Sequence, residues 1–67
     1  MNIFEAIRKT GEATVPIYHL YVKENIDDGM LHWYHKDSGK VGNLVSWHWV
    51  KCHSWQSYQS IRELENE

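Results

Sequence analysis

Between Met30 and Val50 the chain reads MLHWYHKDSGKVGNLVSWHWV, and this stretch restricts the possible folds more than any other. Lys36-Asp37-Ser38-Gly39-Lys40 has an early Asp, whose carboxylate can accept from the turn's own amides. Its Gly stands where a three-residue hairpin loop needs a left-handed residue. A type I turn with a G1 bulge at this point pairs Lys36 with Lys40, and therefore Trp33 with Asn43, His32 with Leu44 and Leu31 with Val45. Alternate side chains of a strand share a face. One face of the hairpin then holds Leu31, Trp33, His35, Val41, Val45, Trp47 and Trp49, and the other Met30, His32, Tyr34, Leu44, Ser46, His48 and Val50. A two-residue Ser38-Gly39 turn would slip the pairing by one and mix both faces. The bulged register segregates the tryptophans, so the first face is expected to be the core.

The remainder of the chain has to cover that face. Asn2 can cap a helix, with Glu5 as the return half of a capping box. Ile3, Phe4 and Ile7 lie to one side, and Gly11 is placed to end it. Thr14 to Glu24 is rich in β-branched and aromatic residues and predicts a strand with Tyr18, Leu20 and Val22 facing the core. Pro16, lacking an N–H, belongs at its start or on an edge. Asn25 to Gly29 makes the loop into the hairpin. After Ser54, a good N-cap, Trp55, Tyr58, Ile61 and Leu64 recur every three residues and predict a second helix. The expected fold is α+β: one small domain spanning residues 1–67, ordered α-β-β-β-α, with a three-stranded antiparallel sheet covered by helices on one face and open on the other.

A chain of 67 residues has a small core and a thin margin of stability. Its four Trp and four Tyr supply the bulk that disulfides supply elsewhere. Cys52 is the single cysteine, which excludes an internal disulfide and a cysteine-rich zinc module. The first residues lack the basic and apolar segments of a signal peptide. No apolar run approaches the roughly 20 residues of a membrane span, so a cytoplasmic protein without a membrane partner is expected. A formal charge of −2 with scattered Lys and Arg argues against duplex nucleic acid as the main partner.

The histidines raise the question of metal. Zinc needs ligands converging at about 2.0 to 2.3 Å on one point. His32 and His35 diverge on a strand, and His48 falls roughly 13 Å from His32 at 3.3 Å per residue. No metal and no cofactor is expected. Cys52 beside His53 lacks a group to orient an imidazole for nucleophilic attack. Asp27 and Asp28 are accounted for by turn chemistry, so the chain is not expected to be an enzyme.

The remaining candidate is a partner surface. His19, Tyr21, His32, Tyr34 and His48 are expected on the open sheet face, with Asp27 and Asp28 at its rim. This makeup suits a protein interface. The expected function is a non-catalytic protein-binding module, a small inhibitor or adaptor that occupies a partner protein. The acidic residues favour a basic, nucleic-acid-handling partner. Two alternatives follow from the same surface: a stacking platform for single-stranded nucleic acid, against which the shortage of nearby Lys and Arg counts, and a homodimer formed through an edge strand.

Overall fold

The computed structural model describes residues 1–16 and 18–60. Helix α1 (Ile3–Thr10) is capped as its sequence dictates. The Glu5 amide donates to Asn2 Oδ1 at 2.8 Å and the Asn2 amide to Glu5 Oε1 at 3.2 Å, which satisfies two N–H groups that the helix itself cannot. Gly11, at φ 90°, ends it in the left-handed conformation and donates its N–H to the Ile7 carbonyl. Ile3 and Ala6 are the residues that reach the core, while Phe4 is 55% exposed. At 100° per residue a stripe through positions 3, 6 and 7 leaves position 4 at its margin, and this corrects the expected Ile3-Phe4-Ile7 grouping.

Among the described residues five antiparallel strands form the sheet: β1 (Glu12–Thr14), β2 (Leu20–Glu24), β3 (Leu31–His35), β4 (Val41–Leu44) and β5 (Gln56–Tyr58), in the order β4-β3-β2-β1-β5. The class is α+β as expected, with five strands rather than three. The single strand expected from Thr14 to Glu24 is two strands with a turn between them. Pro16 sits in that turn, where its missing N–H costs no ladder bond, and the Tyr18 amide donates to the Val15 carbonyl at 2.9 Å. Thr14 Oγ1 donates across the hairpin to the Leu20 carbonyl at 2.9 Å.

The second correction concerns the segment after Ser54. In place of the start of a helix it forms β5, which pairs with β1 through Glu12↔Tyr58, Ala13↔Ser57 and Thr14↔Gln56. A spacing of three is ambiguous, since on a strand it sends Trp55 and Tyr58 to opposite faces. Both sites are profitable for a large ring: Trp55 is 0% exposed beneath α1, and Tyr58 stacks on Tyr21 across the other face. Ser57 Oγ donates to the Ala6 carbonyl at 2.9 Å and Thr10 Oγ1 to the Tyr58 carbonyl at 2.7 Å, tying β5 to the helix. The remaining residues of the expected helical stripe, Ile61 and Leu64, lie outside the described residues.

The central hairpin has the left-handed turn glycine, Gly39 at φ 77°, but its ladder shifts register once. The His35 amide donates to the Lys40 carbonyl at 3.0 Å, closing a four-residue loop, and Tyr34 pairs with Val41. An irregularity between His32 and Tyr34 then takes up one residue, so that His32 pairs with Leu44 as the bulged-turn register requires. Because of the shift, Val41 lies on the face of Tyr34 and is exposed, not in the core.

The strand also ends earlier than expected, at Leu44. The Val45 amide still reaches the Leu31 carbonyl at 3.1 Å, but beyond that point β3 gives way to the Asn25–Gly29 loop and a longer β4 would have no partner. The chain instead makes a short helix, α2 (Trp47–Val50), in which the Lys51 amide donates to the Trp47 carbonyl at 3.2 Å. This turns Trp49 onto the core and leaves Trp47 70% exposed. Trp47 is therefore not the core residue that an extended strand would make it.

The core is an aromatic cluster on the helix-covered face. Ile3, Ala6, Ala13, Val22, Trp33 and Trp55 are buried together, with Tyr18, Leu20, Leu31 and Trp49 packed around them. Tyr18 and Trp49 each meet Trp33 edge-on, with centroids 5.3 and 5.4 Å away, the geometry that the ring quadrupoles favour. Backbone bonds close the layer: the Trp55 amide donates to the Met1 carbonyl and the N-terminal ammonium to the carbonyl of Trp55, both at 3.1 Å.

Candidate functional site

Of the five residues expected on one open face, the structure places two inside. Tyr21 is 1% and Tyr34 7% exposed. Their rings stack with centroids 5.5 Å apart, and Tyr58 continues the stack on the far side of Tyr21 at 4.8 Å. The sheet therefore buries aromatic residues on both faces, and the expectation of one open face is corrected at Tyr21 and Tyr34. Lysines border the ladder, with Lys23 Nζ 5.0 Å from the Tyr34 centroid and Lys36 Nζ 5.1 Å from that of Tyr58. Burial lowers the pKa of Lys36. It raises that of Tyr58, with the neighbouring Tyr21 and Glu12 acting in the same direction. Among the described residues the buried Tyr21 hydroxyl has no hydrogen-bond partner.

His19 and His48 are exposed but separate from these rings. His19 precedes β2, where its ring lies 6.1 Å from that of His35. His48 is on α2 with its ring edge-on to Trp49 at 6.2 Å, because the strand expected to carry it ends at Leu44.

His32 and Asp28 are brought together. The loop before β3 is built as its residues suggest: the Asp27 amide donates to Asn25 Oδ1 at 2.8 Å and the Met30 amide to Asp28 Oδ1 at 3.0 Å. The other carboxylate oxygen, Asp28 Oδ2, lies 2.7 Å from His32 Nε2, and His32 Nδ1 lies 3.1 Å from the Gly42 carbonyl oxygen. The hydrogen bond to Asp28, then that to Gly42, raises the pKa of His32 against the opposing effect of desolvation. His32, followed by the Met30 amide, lowers the pKa of Asp28.

A feature the sequence reading missed lies next to this pair. β4 is a sheet edge, and its four residues are all exposed. Val41 and Leu44 lie on the same face as His32. Met30 precedes Leu31, whose carbonyl holds Val45, and Trp47 follows two residues later. Met30, Val41, Leu44 and Trp47 are each half or more exposed, beside a loop carrying Asp27, Asp28 and the 94% exposed Ile26. Two signals pointed this way: Gly42-Asn43, poor strand formers in the middle of β4, and Ser46, an N-cap residue directly before Trp47.

Among the described residues no three His, Cys, Asp or Glu side chains converge as metal ligands. The Cys52 thiol, half-buried, is 3.8 Å from the His48 carbonyl. No helix of the described residues is long and apolar enough to cross a membrane. No protein-family model, curated protein or solved structure matches the chain.

Proposed function

We propose that the protein is a non-catalytic binding module, a small inhibitor or adaptor that occupies another protein through the β4 edge, the turn into α2 and the acidic loop beside them. The observation that carries this reading is Trp47, 70% exposed in a chain that draws Trp33, Trp49 and Trp55 into its core. Tryptophan is among the residues most enriched as anchors at protein interfaces, and Leu44, Val41 and Met30, also half or more exposed on and beside β4, add apolar surface to it. Asp27 and Asp28 give that centre an acidic rim, with His32 between the two. The partner's complementary surface is an apolar pocket bordered by Lys or Arg, as on a basic, nucleic-acid-handling protein.

Support for a non-catalytic role comes from the His32–Asp28 pair. Both ring nitrogens of His32 are engaged by acceptors of the chain itself, so neither is turned toward a substrate as a general base has to be. The reading as a single-strand platform is weaker, since the faces of Tyr21 and Tyr34 are turned to each other rather than outward. A second copy pairing along β4 is the weaker occupant of the edge, because the ladder of β4 with β3 is irregular between His32 and Tyr34 and self-pairing favours regular edges.

The experiment is affinity capture from the native host with the wild-type chain, Trp47→Ala and Asp27→Lys side by side, followed by mass spectrometry. A basic protein retained by the wild type and lost from both variants is the expected result. Retention unchanged by both substitutions places the interface elsewhere.

A further inference from the structure

We propose that His32 is a pH-sensitive clasp, which fastens the acidic loop to the edge strand β4 as an imidazolium and releases one of them when it loses its proton. The argument starts from hydrogen-bond inventory. Gly42 O is a carbonyl and Asp28 Oδ2 a carboxylate, so both can only accept, and the two contacts at 3.1 and 2.7 Å need an N–H on each ring nitrogen. Only the imidazolium has both. A neutral ring turns a lone pair toward one of the two acceptors, and whichever tautomer forms, that link is replaced by repulsion.

The two links span separate parts of the chain. Asp28 holds the loop's own turn through the Met30 amide on its Oδ1, so one continuous path runs from the Met30 N–H through Asp28 and His32 to Gly42. It ends on β4 at the irregularity in the ladder between His32 and Tyr34, where strand pairing is already interrupted and a side-chain bond substitutes for it. The His32 side chain is 15% exposed and that of Asp28 44%, so the pair is reached by bulk proton exchange.

The groups around the ring reinforce the device or oppose it. From β2, Lys23 stands opposite His32 in the ladder, and its cation opposes protonation, though its ammonium is drawn over the Tyr34 ring. Asp27, in the loop, favours protonation, as does Glu24, one of whose carboxylate oxygens lies 3.9 Å from where a Cβ on Gly29 would be. On β4, Val41 to Leu44 contribute no titratable group. The pKa directions agree with the geometry: His32 raised, Asp28 lowered.

The signs fix the window. A raised histidine stabilises the clasped form fully below its ordinary value of 6.5 and loses that contribution as pH rises through the folded value. A lowered carboxylate contributes above its ordinary 3.8 and loses this as pH falls through its own folded value. The clasp is therefore closed in mildly acidic solution and opens on the alkaline side of 6.5. The effect on docking rests on the surface proposed above, whereas the clasp itself is a property of the free chain.

The test is a titration of the free protein by heteronuclear NMR, following the His32 ring together with the backbone amides of Met30, Gly42 and Asn43. The expected result is a His32 midpoint above 6.5 and a movement of all three amides with that same midpoint. Asp28→Asn should shift the midpoint down and uncouple Gly42 from Met30, and His32→Gln should remove the transition from both. A His32 midpoint at or below 6.5 overturns the proposal, as does a Gly42 amide that ignores the titration. The wild-type curves decide the matter even if a variant fails to fold.

Discussion

Trp55, directly before β5, lies nearly parallel to Trp33 of β3, ring centroids 5.7 Å apart at an interplanar angle of 27°, and its indole N–H donates to the Trp49 carbonyl at 3.0 Å. This stack joins the end of the described chain to its middle across the helix-covered face. Emptying either site should cost about 3 to 5 kcal/mol, the scale for removing an aromatic core residue, and this is much of what so small a domain has. Trp47→Ala should stay within about 0.5 kcal/mol, as surface changes usually do. Denaturant titration of Trp33→Ala, Trp55→Ala and Trp47→Ala checks the division. Equal losses at all three would mean that Trp47 is buried.

The hairpin turn makes a second expectation. Gly39 is held at φ 77°, and a β-branched residue is strained there, so Gly39→Val should destabilise by at least about 1 kcal/mol. Gly42→Ala should be tolerated by contrast, because its new Cβ would meet the Trp33 carbonyl oxygen at 3.4 Å, an ordinary van der Waals contact. Ser38→Ala, in the same turn, serves as the tolerated control in thermal melts.

Much of this was legible in the residues. Asn2, Glu5 and Gly11 announce α1 because capping is local chemistry, and Gly39 announces the hairpin for the same reason. The pairing of His32 with Leu44 agrees with the expected register only because the irregularity between His32 and Tyr34 takes up one residue. What was not legible depends on tertiary partners. Whether Trp55 and Tyr58 share a helix face or straddle a strand is decided by β1, whose free edge accepts a strand there. Trp47 continues as β4 only if β3 extends to meet it, and β3 does not. The clasp joins His32 to Gly42, a pairing set by a bulge whose position no turn rule specifies. Asp27 and Asp28 were recognised as turn residues, and the second role of Asp28 became visible only with His32 beside it.

The Tyr21 hydroxyl offers a third test. It is buried and among the described residues has no hydrogen-bond partner, so Tyr21→Phe removes a desolvated polar group and keeps the ring stacked between Tyr34 and Tyr58. The variant should be as stable as the wild type or more so, by up to about 1 kcal/mol, whereas Tyr21→Ala should lose about 3 kcal/mol or more. A clear loss of stability in Tyr21→Phe, read from the melting temperature, would mean that the hydroxyl is bonded.

The His32–Asp28 pair also predicts how stability varies with pH. His32 is raised and Asp28 lowered, so the stability difference between wild type and His32→Gln should be largest between about pH 4.5 and 6, where both groups are charged in either state. It should shrink as pH rises above 6.5 and His32 loses its proton. Parallel melting curves across that range would contradict the assignment.

The central claim is that the exposed Trp47 and the acidic loop form the partner surface, and calorimetric titration of the captured partner tests it most directly. Trp47→Ala should weaken binding tenfold or more, equivalent to about 1.4 kcal/mol, with its melting temperature unchanged. Asp27→Lys should weaken binding further at low salt than at high salt. Full affinity in Trp47→Ala at both salt concentrations would contradict the account.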